Sequence, residues 1–425
     1  MQLKISSMIS KINSVMHASL QGDTQRFATA QVLYIISVTF GWYLHDVARW
    51  VLFVLALYII NKDQRQADVI KYWNGFTRVT GLCLIAMCVW IICVPALFGQ
   101  ASFMDVVHST ERILEVILWI WGAFIFAKDN EFFDKFISFS VLSCIVLGVV
   151  YFTQRAGQSF ASMTSVDWWF GGNSVKTGFH ILFLFPWLVY SLLSAEKPKK
   201  IILLSLSILS VIIVTISTYY STIWVALFAQ IILIPIITLK MNVVLSKNIY
   251  LFAMPIFVIA MLLFYLGCHN IPEVKSRLDM EIAQLSAFGS DTAKFTSRRS
   301  EAWAETINLT KVHPIVGYGY VAPEDYAVKT RFHPHSSYLQ AAFYTGYPGM
   351  FLFILSLCLL GVLIYNKSGK SDKYKSVFFA LPLILIGYSV AGIAEVLFFT
   401  GRETAIAFWV PMSLLLSQKM CETSD

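Results

Sequence analysis

Long apolar runs recur along most of this chain, separated by short polar segments. An α-helix needs about 20 mostly apolar residues to cross the hydrocarbon core of a bilayer, and these runs are about that long. Only 13% of the residues are charged, whereas a soluble globular protein carries about 25%. A transmembrane β-barrel would instead show alternating segments of about ten residues. The sequence therefore predicts an all-α, polytopic membrane protein.

The apolar runs, divided at their charged residues, predict about twelve transmembrane helices. They lie near residues 27–44, 49–61, 79–97, 113–127, 136–153, 177–195, 201–217, 219–239, 249–267, 346–365, 376–393 and 404–418. The only long polar segment between them is 268–345. We therefore expect three parts, with transmembrane helices 1–9 in residues 1–267, one large loop at 268–345, and helices 10–12 in residues 346–425.

The distribution of Lys and Arg predicts which way the chain crosses the membrane. With the N-terminus inside, the cytoplasmic segments hold nineteen basic residues, and the opposite side holds five outside the long loop. Basic loops are retained in the cytoplasm. Both termini are therefore expected in the cytoplasm, and the long loop outside, which is the periplasm for a bacterial inner membrane.

Two helices are expected within the loop. The first, within residues 273–288, has an apolar stripe and is predicted to lie at the membrane surface. The second, within SRRSEAWAETINLTKVHP, should end near Pro314, because proline disfavours helix in the residue before it. The glycines of GYGY at 317–320 are then expected to turn the chain.

Arg299 and Trp303 are four residues apart on the second loop helix, so they share one face. A guanidinium held over an indole is an oriented cation, and its planar fork fits phosphate oxygens better than a lysine does. The arginine is a candidate ligand for a phosphate or carboxylate. The alternative is a structural contact with anionic lipid headgroups or with Glu301.

The stretch RFHPHSSYLQ places two histidines at the border between the loop and the tenth predicted span. His333 and His335 flank Pro334, which restricts the backbone to an extended or turn conformation. Histidine titrates near neutral pH and serves as a general base for hydroxyl nucleophiles. The alternative is a structural histidine that caps the following helix or contacts a headgroup.

Further charges are predicted near the same side of the membrane. Lys176 precedes the sixth span, Arg402 and Glu403 precede the twelfth, and Glu395 is close to the outer end of the eleventh. Each alone is compatible with a structural side chain that reaches the interface. Together they indicate a basic external cavity suited to an anionic ligand.

The order of these motifs resembles the O-antigen ligase and polymerase superfamily. Arg299 and Trp303 form RxxxW on a helix, followed by HP with GYGY at 313–320 and by HPHSSYLQ before a span. The dozen spans with one large late loop also match. The length, without a large C-terminal soluble domain, is most similar to the lipopolysaccharide O-antigen ligase.

The resemblance implies a GT-C-like glycosyltransferase that needs no metal, nucleotide or cofactor. It would transfer a glycan from undecaprenyl diphosphate to a sugar hydroxyl of lipid A–core oligosaccharide at the periplasmic face. The family's loop arginine matches Arg299, which would hold the diphosphate, and its loop histidine matches His335, which would act as the base. His333 is a weaker match. The partners implied are the lipid-linked donor, the lipid A–core acceptor and membrane lipids, and no nucleic acid.

One departure from the family pattern affects the donor site. The family often carries an arginine in a mid-chain Ser-Arg-Gly-Ala-Trp-like segment, and STYYSTIW here keeps Trp224 but has Ser221 at that place. Lys176 and Arg402 are then the candidates for a second phosphate contact. Two rival functions remain, an O-antigen polymerase that joins lipid-linked repeats, and a transporter of lipid-linked sugars. A transporter would show broken helices near the bilayer midplane, whereas the polar groups here crowd one face.

Overall fold

The computed structural model describes several segments of the chain. These segments are helical apart from a few turns. The described residues are 25–33, 103–126, 130–155, 174–217, 221–243, 247–270, 299–319, 334–368 and 374–398, with scattered positions in 50–97, 275–286 and 405–412. The longer helices are α1 (Phe103–Phe126), α2 (Asn130–Arg155), α3 (Ser174–Leu193), α4 (Pro198–Ser217), α5 (Ser221–Lys240), α6 (Lys247–Asn270), α7 (Arg299–Thr310), α8 (Ser337–Lys367) and α9 (Lys375–Ala394). The described residues include no strand, so the all-α class is confirmed.

Five of these helices, α2, α4, α5, α8 and α9, are long and apolar enough to cross a membrane. They fall where the fifth, seventh, eighth, tenth and eleventh spans were predicted, as expected for a multi-pass membrane protein. Most of the first three predicted spans and of the twelfth lies outside the described residues. The twelve-span topology and the external placement of the loop remain predictions.

The helices pack around α3 and α9, which are the most deeply placed of those described. α9 packs against α3, α5 and α8, while α3 also contacts α2 and α4. Nearly every side chain from 178 to 189 is buried, which is typical of a helix that is apolar all round and surrounded by others. The outer helices expose large apolar side chains such as Leu203, Val225 and Leu262, as helices facing lipid tails do.

A buried glutamine joins three of the helices. The side-chain amide nitrogen of Gln230 on α5 donates to the backbone oxygens of Leu182 on α3, at 2.8 Å, and Leu383 on α9, at 2.9 Å. Gly387 on α9 lies directly against this amide. Because no water is present in the hydrocarbon to satisfy a polar group, such an amide needs partners on neighbouring helices. Gln230 therefore fixes α3, α5 and α9 relative to one another.

α8 is a helical hairpin. Gly346 interrupts it with φ 68° and ψ −177°, a conformation that glycine adopts without steric cost. The rings of Tyr338 and Phe353, on opposite sides of this turn, have centroids 5.8 Å apart. In a straight helix they would be about 22 Å apart along the axis, so residues 337–345 fold back along 347–367. Pro348 lies in the first turn of the second piece, where proline is tolerated.

The tenth span was predicted to begin at residue 346, and the structure instead begins this helix at Ser337. The sequence SYLQAAFYT is apolar enough to be buried, and packing in the hairpin makes it helical. The end of the segment predicted as a loop is therefore part of the packed bundle.

The segment with the GYGY glycines packs across the turn of this hairpin. The backbone nitrogen of Tyr318 donates to the oxygen of Phe343 at 2.8 Å, and that of Tyr347 donates to the oxygen of Pro314 at 2.8 Å. The Tyr318 ring also stacks on Phe343, with centroids 4.6 Å apart. The sequence from 313 to 319 therefore holds α7, which precedes it, against α8.

We expect Gly346→Ala to destabilise the protein by about 1–3 kcal/mol or more, because φ 68° is strained for alanine. Its Cβ would also lie 2.6 Å from backbone atoms of Pro314 and Ile315. Thermal unfolding of the detergent-solubilised variant measures the loss. Gly361→Ala is the matched control, since its Cβ would meet only Leu385 at 3.6 Å. Equal melting temperatures for the two variants would contradict the assigned turn.

Candidate functional site

Arg299 is the first residue of α7 and reaches two spanning helices. Its Nη2 lies 3.0 Å from Oε1 of Glu395, just beyond the end of α9. Its Nη1 donates to Oγ1 of Thr222, in the first turn of α5, at 3.2 Å. Because α7 packs on α8, the guanidinium is held between the loop and the end of the helical bundle.

His335 contacts the same carboxylate. Its Nδ1 lies 3.4 Å from Oε1 and 3.5 Å from Oε2 of Glu395. The residue has φ 44°, in the left-handed region where histidine is enriched over most other residues. Ser336 then returns to an extended conformation and caps α8, its hydroxyl accepting from the backbone nitrogen of Leu339. This turn directs the imidazole toward Glu395.

Ser337 fixes the backbone on which Glu395 is placed. Its backbone nitrogen and its Oγ both donate to the backbone oxygen of Glu395, at 2.9 and 2.7 Å. The same Oγ accepts from the backbone nitrogen of Leu397 at 3.0 Å. The start of α8 and the segment after α9 are therefore joined by three hydrogen bonds directly beside the three side chains.

The three side chains differ in their access to solvent. The exposed fraction of the side chain is 11% for Glu395, 21% for Arg299 and 40% for His335. The carboxylate is thus the innermost group, and the imidazole is the most accessible to a ligand.

Burial affects both charged groups of the ion pair. Burial raises the pKa of Glu395 to about 8, and it lowers the pKa of Arg299 from its ordinary value. The guanidinium opposes the first effect, because a positive charge favours the ionised carboxylate. Burial is the larger influence on this carboxyl, so Glu395 titrates near neutral pH.

Of the other predicted site residues, Trp303 and the backbone of Lys176 lie within the described part of the chain. Trp303 is half-buried on α7, one turn from Arg299, and its Nε1 is buried with no hydrogen-bond partner among the described residues. Its stacking under the guanidinium stays a prediction. Lys176 belongs to the first turn of α3, and its side chain is outside the described part. Arg402 and His333 are also outside it.

Two residues of this cluster were missed or undervalued by sequence reasoning. Glu395 was noted only as one charge near the end of a span, and Thr222 was not singled out. Thr222 follows Ser221, where the family pattern has its arginine, and its contact with Arg299 shows that this mid-chain segment does reach the cluster. The signal for Glu395 was a lone carboxylate at the end of a strongly apolar helix, which needs a partner there.

The cluster lies below the tip of the α8 hairpin. Ser337 starts the helical piece that ends at the Gly346 turn, which at 1.5 Å per residue gives a depth of about 13 Å. A guanidinium and an imidazole on either side of one carboxylate can bind an anion and accept a proton within one small volume. Among the described residues, no group of three His, Cys, Asp or Glu side chains forms a metal site.

A comparison with known protein families gives a match to part of the chain. A family model described as O-antigen ligase matches residues 205–354, a little more than a third of the chain. The match includes Arg299, His335 and Ser221, and it ends before Glu395. No curated protein matches the chain. The predicted resemblance to the O-antigen ligase and polymerase superfamily is therefore confirmed, over the segment that holds the loop helix and the histidine motif.

Proposed function

We propose that this protein is an O-antigen ligase. It transfers a glycan from undecaprenyl diphosphate to a sugar hydroxyl of lipid A–core oligosaccharide, at the periplasmic face of a bacterial inner membrane. The observation that carries the proposal is the convergence of Arg299 and His335 on one buried carboxylate at the end of a membrane bundle. The family match over 205–354 supports the same class of reaction.

The reaction needs one proton acceptor and one group that stabilises negative charge. The acceptor hydroxyl attacks the anomeric carbon of the glycan, and its oxygen forms the new glycosidic bond. The bond between that carbon and the diphosphate oxygen breaks, and undecaprenyl diphosphate leaves with the bonding electrons. His335 takes the hydroxyl proton at the ring nitrogen that does not face Glu395. The donor is already activated, so no nucleotide is consumed.

Arg299 is proposed to bind the diphosphate. Nη1 and Nη2 contact Thr222 and Glu395, and a guanidinium has five N–H donors in a planar fork, which suits bidentate phosphate binding. Held at one end of α7, the charge is already in place when the leaving group becomes more negative. Such preorganised charge lowers the barrier without a metal ion. Lys176 and Arg402 are proposed as further phosphate contacts, with His333 and Trp303 near the sugars.

Transfer by the purified protein is the direct test. The protein is reconstituted in liposomes with a defined lipid-linked glycan and lipid A–core, and the products are separated by mass. A new bond between glycan and core supports the ligase. Glycan joined instead to a second lipid-linked repeat identifies a polymerase, and movement of the donor without any new bond identifies a transporter.

The same assay tests whether cations of the protein suffice. We expect an excess of EDTA to leave the initial rate of transfer unchanged, because Arg299 and neighbouring basic groups take the place of a divalent ion. A parallel reaction with added Mg²⁺ in excess over the chelator is the control. A rate that is lost with EDTA and restored by Mg²⁺ would contradict the metal-independent mechanism.

A further inference from the structure

We propose that Glu395 is a positioning residue for the transfer reaction, orienting the His335 base and the Arg299 fork at the same time. The inference rests on the proposed function and adds to it a residue outside the matched segment 205–354. It starts from one geometric fact, that both groups contact the carboxylate of Glu395.

The contact with His335 selects which ring nitrogen is the base. Nδ1 faces both carboxylate oxygens, at 3.4 and 3.5 Å, and a carboxylate only accepts hydrogen bonds. When Glu395 is ionised, Nδ1 therefore carries the proton and the lone pair is on Nε2. The imidazole is the most exposed of the three groups, and Nε2 is the atom that takes the proton of an acceptor hydroxyl.

The contact with Arg299 sets the direction of the guanidinium. Glu395 holds Nη2 at 3.0 Å and Thr222 holds Nη1 at 3.2 Å, so both terminal nitrogens are anchored. A planar fork held at two points has a fixed orientation. The guanidinium can then meet a ligand without the full entropy cost of ordering a long side chain.

The backbone around Glu395 keeps the carboxylate in place. Ser337 donates twice to its backbone oxygen and accepts from Leu397, so α9 and α8 cannot separate at this point without breaking these bonds. The charged and titratable groups facing Glu395 among the described residues are Arg299, from α7, and His335, from the segment before α8. Thr222, from α5, is neutral.

The titration of Glu395 gives the inference a measurable signature. Burial raises the pKa of this carboxyl to about 8. Below that pH the protonated carboxyl is a weaker acceptor for Nδ1–H and has no charge to pair with the guanidinium, and above it the carboxylate orients the base. The rate of transfer in the wild type should therefore rise as the pH increases toward and through about 8.

The experiment compares the pH dependence of kcat and of kcat/KM in Glu395→Gln, Glu395→Asp and the wild type. We expect Glu395→Gln to lower kcat on the order of 10²-fold, as loss of an oriented general base does, and to remove the rise near pH 8. The remaining acidic limb of the profile, where the rate falls as the pH is lowered, should lie at a lower pH, because an ordinary histidine titrates at about 6.5. Glu395→Asp, which restores a carboxylate, should recover the limb and part of the rate.

Glu301→Gln is the matched control, since Glu301 is an exposed carboxylate on the same helix as Arg299. It should leave both rate and pH profile unchanged.

If Glu395→Gln lowers the rate equally at every pH, Glu395 has only a structural role and the inference is overturned. If that variant does not fold, absence of the rise near pH 8 in Glu395→Asp, which still carries a carboxylate, overturns it instead. If the wild type makes no glycosidic bond, the proposed function is contradicted. If the wild type is active and Glu395→Gln is unaffected, only this inference is contradicted.

Discussion

His335→Ala should abolish glycan transfer while the protein still inserts and folds. The imidazole is the proposed acceptor of the hydroxyl proton, and a positioned general base contributes about 10²–10⁴-fold to a rate. Folding should survive because the side chain is 40% exposed and removal of an accessible ring leaves no cavity. Initial rates in liposomes, with thermal unfolding measured in parallel, separate the loss of activity from the loss of structure.

The backbone conformation of His335 calls for a second substitution. With φ 44°, alanine at this position also changes the preference of the turn, whereas asparagine enters the left-handed region readily. His335→Asn therefore removes the base and keeps the turn, and it should be as inactive as the alanine variant. His313→Ala is the control for loss of a loop histidine elsewhere, and it should retain transfer. Near-normal activity in His335→Asn would exclude the role as base.

Arg299→Ala is expected to reduce kcat/KM for transfer by about 10²–10³-fold, the range for removal of one preorganised charge-stabilising donor. Part of the loss should appear as weaker binding of the lipid-linked donor, because the same guanidinium contacts the diphosphate before and during its departure. Binding of the donor to purified protein, measured apart from transfer, divides the loss between the two stages.

Two further variants isolate the geometry of the guanidinium. Arg299→Lys keeps the charge without the planar fork, so it should recover donor binding better than rate, since a lysine cannot hold Thr222 and Glu395 together. Lys311→Ala removes an exposed cation just beyond the same helix, where its Nζ donates to Oδ1 of Asn308. It should behave as the wild type. An Arg299→Ala protein with near-normal transfer would show that the diphosphate is bound elsewhere.

The helices were predictable because lipid imposes a single requirement on every span. A helix must be apolar and about 20 residues long to cross the bilayer, and α4, α5 and α9 begin and end within a few residues of the predicted bounds. The hairpin in α8 was not predictable in this way. The predicted span began at residue 346, but the sequence does not show that 337–345 is also helical and folds back, because the change of direction depends on one positive φ angle at Gly346.

The site was predictable only in part, for a related reason. Arg299 and His335 lie in short motifs whose spacing is visible along the sequence. Their common partner is not, since Glu395 is 96 residues from Arg299 and 60 residues from His335. A contact of that kind depends on how α7, α8 and α9 pack, and a single carboxylate at the end of an apolar helix does not specify its partner.

The amide of Gln230 has a mechanical consequence for this site. Its nitrogen donates hydrogen bonds to carbonyls on two other helices. A sliding movement of α3, α5 or α9 would break one of these hydrogen bonds where no water can replace it. Thr222 at the start of α5 and Glu395 after α9 consequently keep a constant separation. Arg299 and His335 arrive on segments that this amide does not anchor. Both are nevertheless oriented by partners that do not move relative to each other.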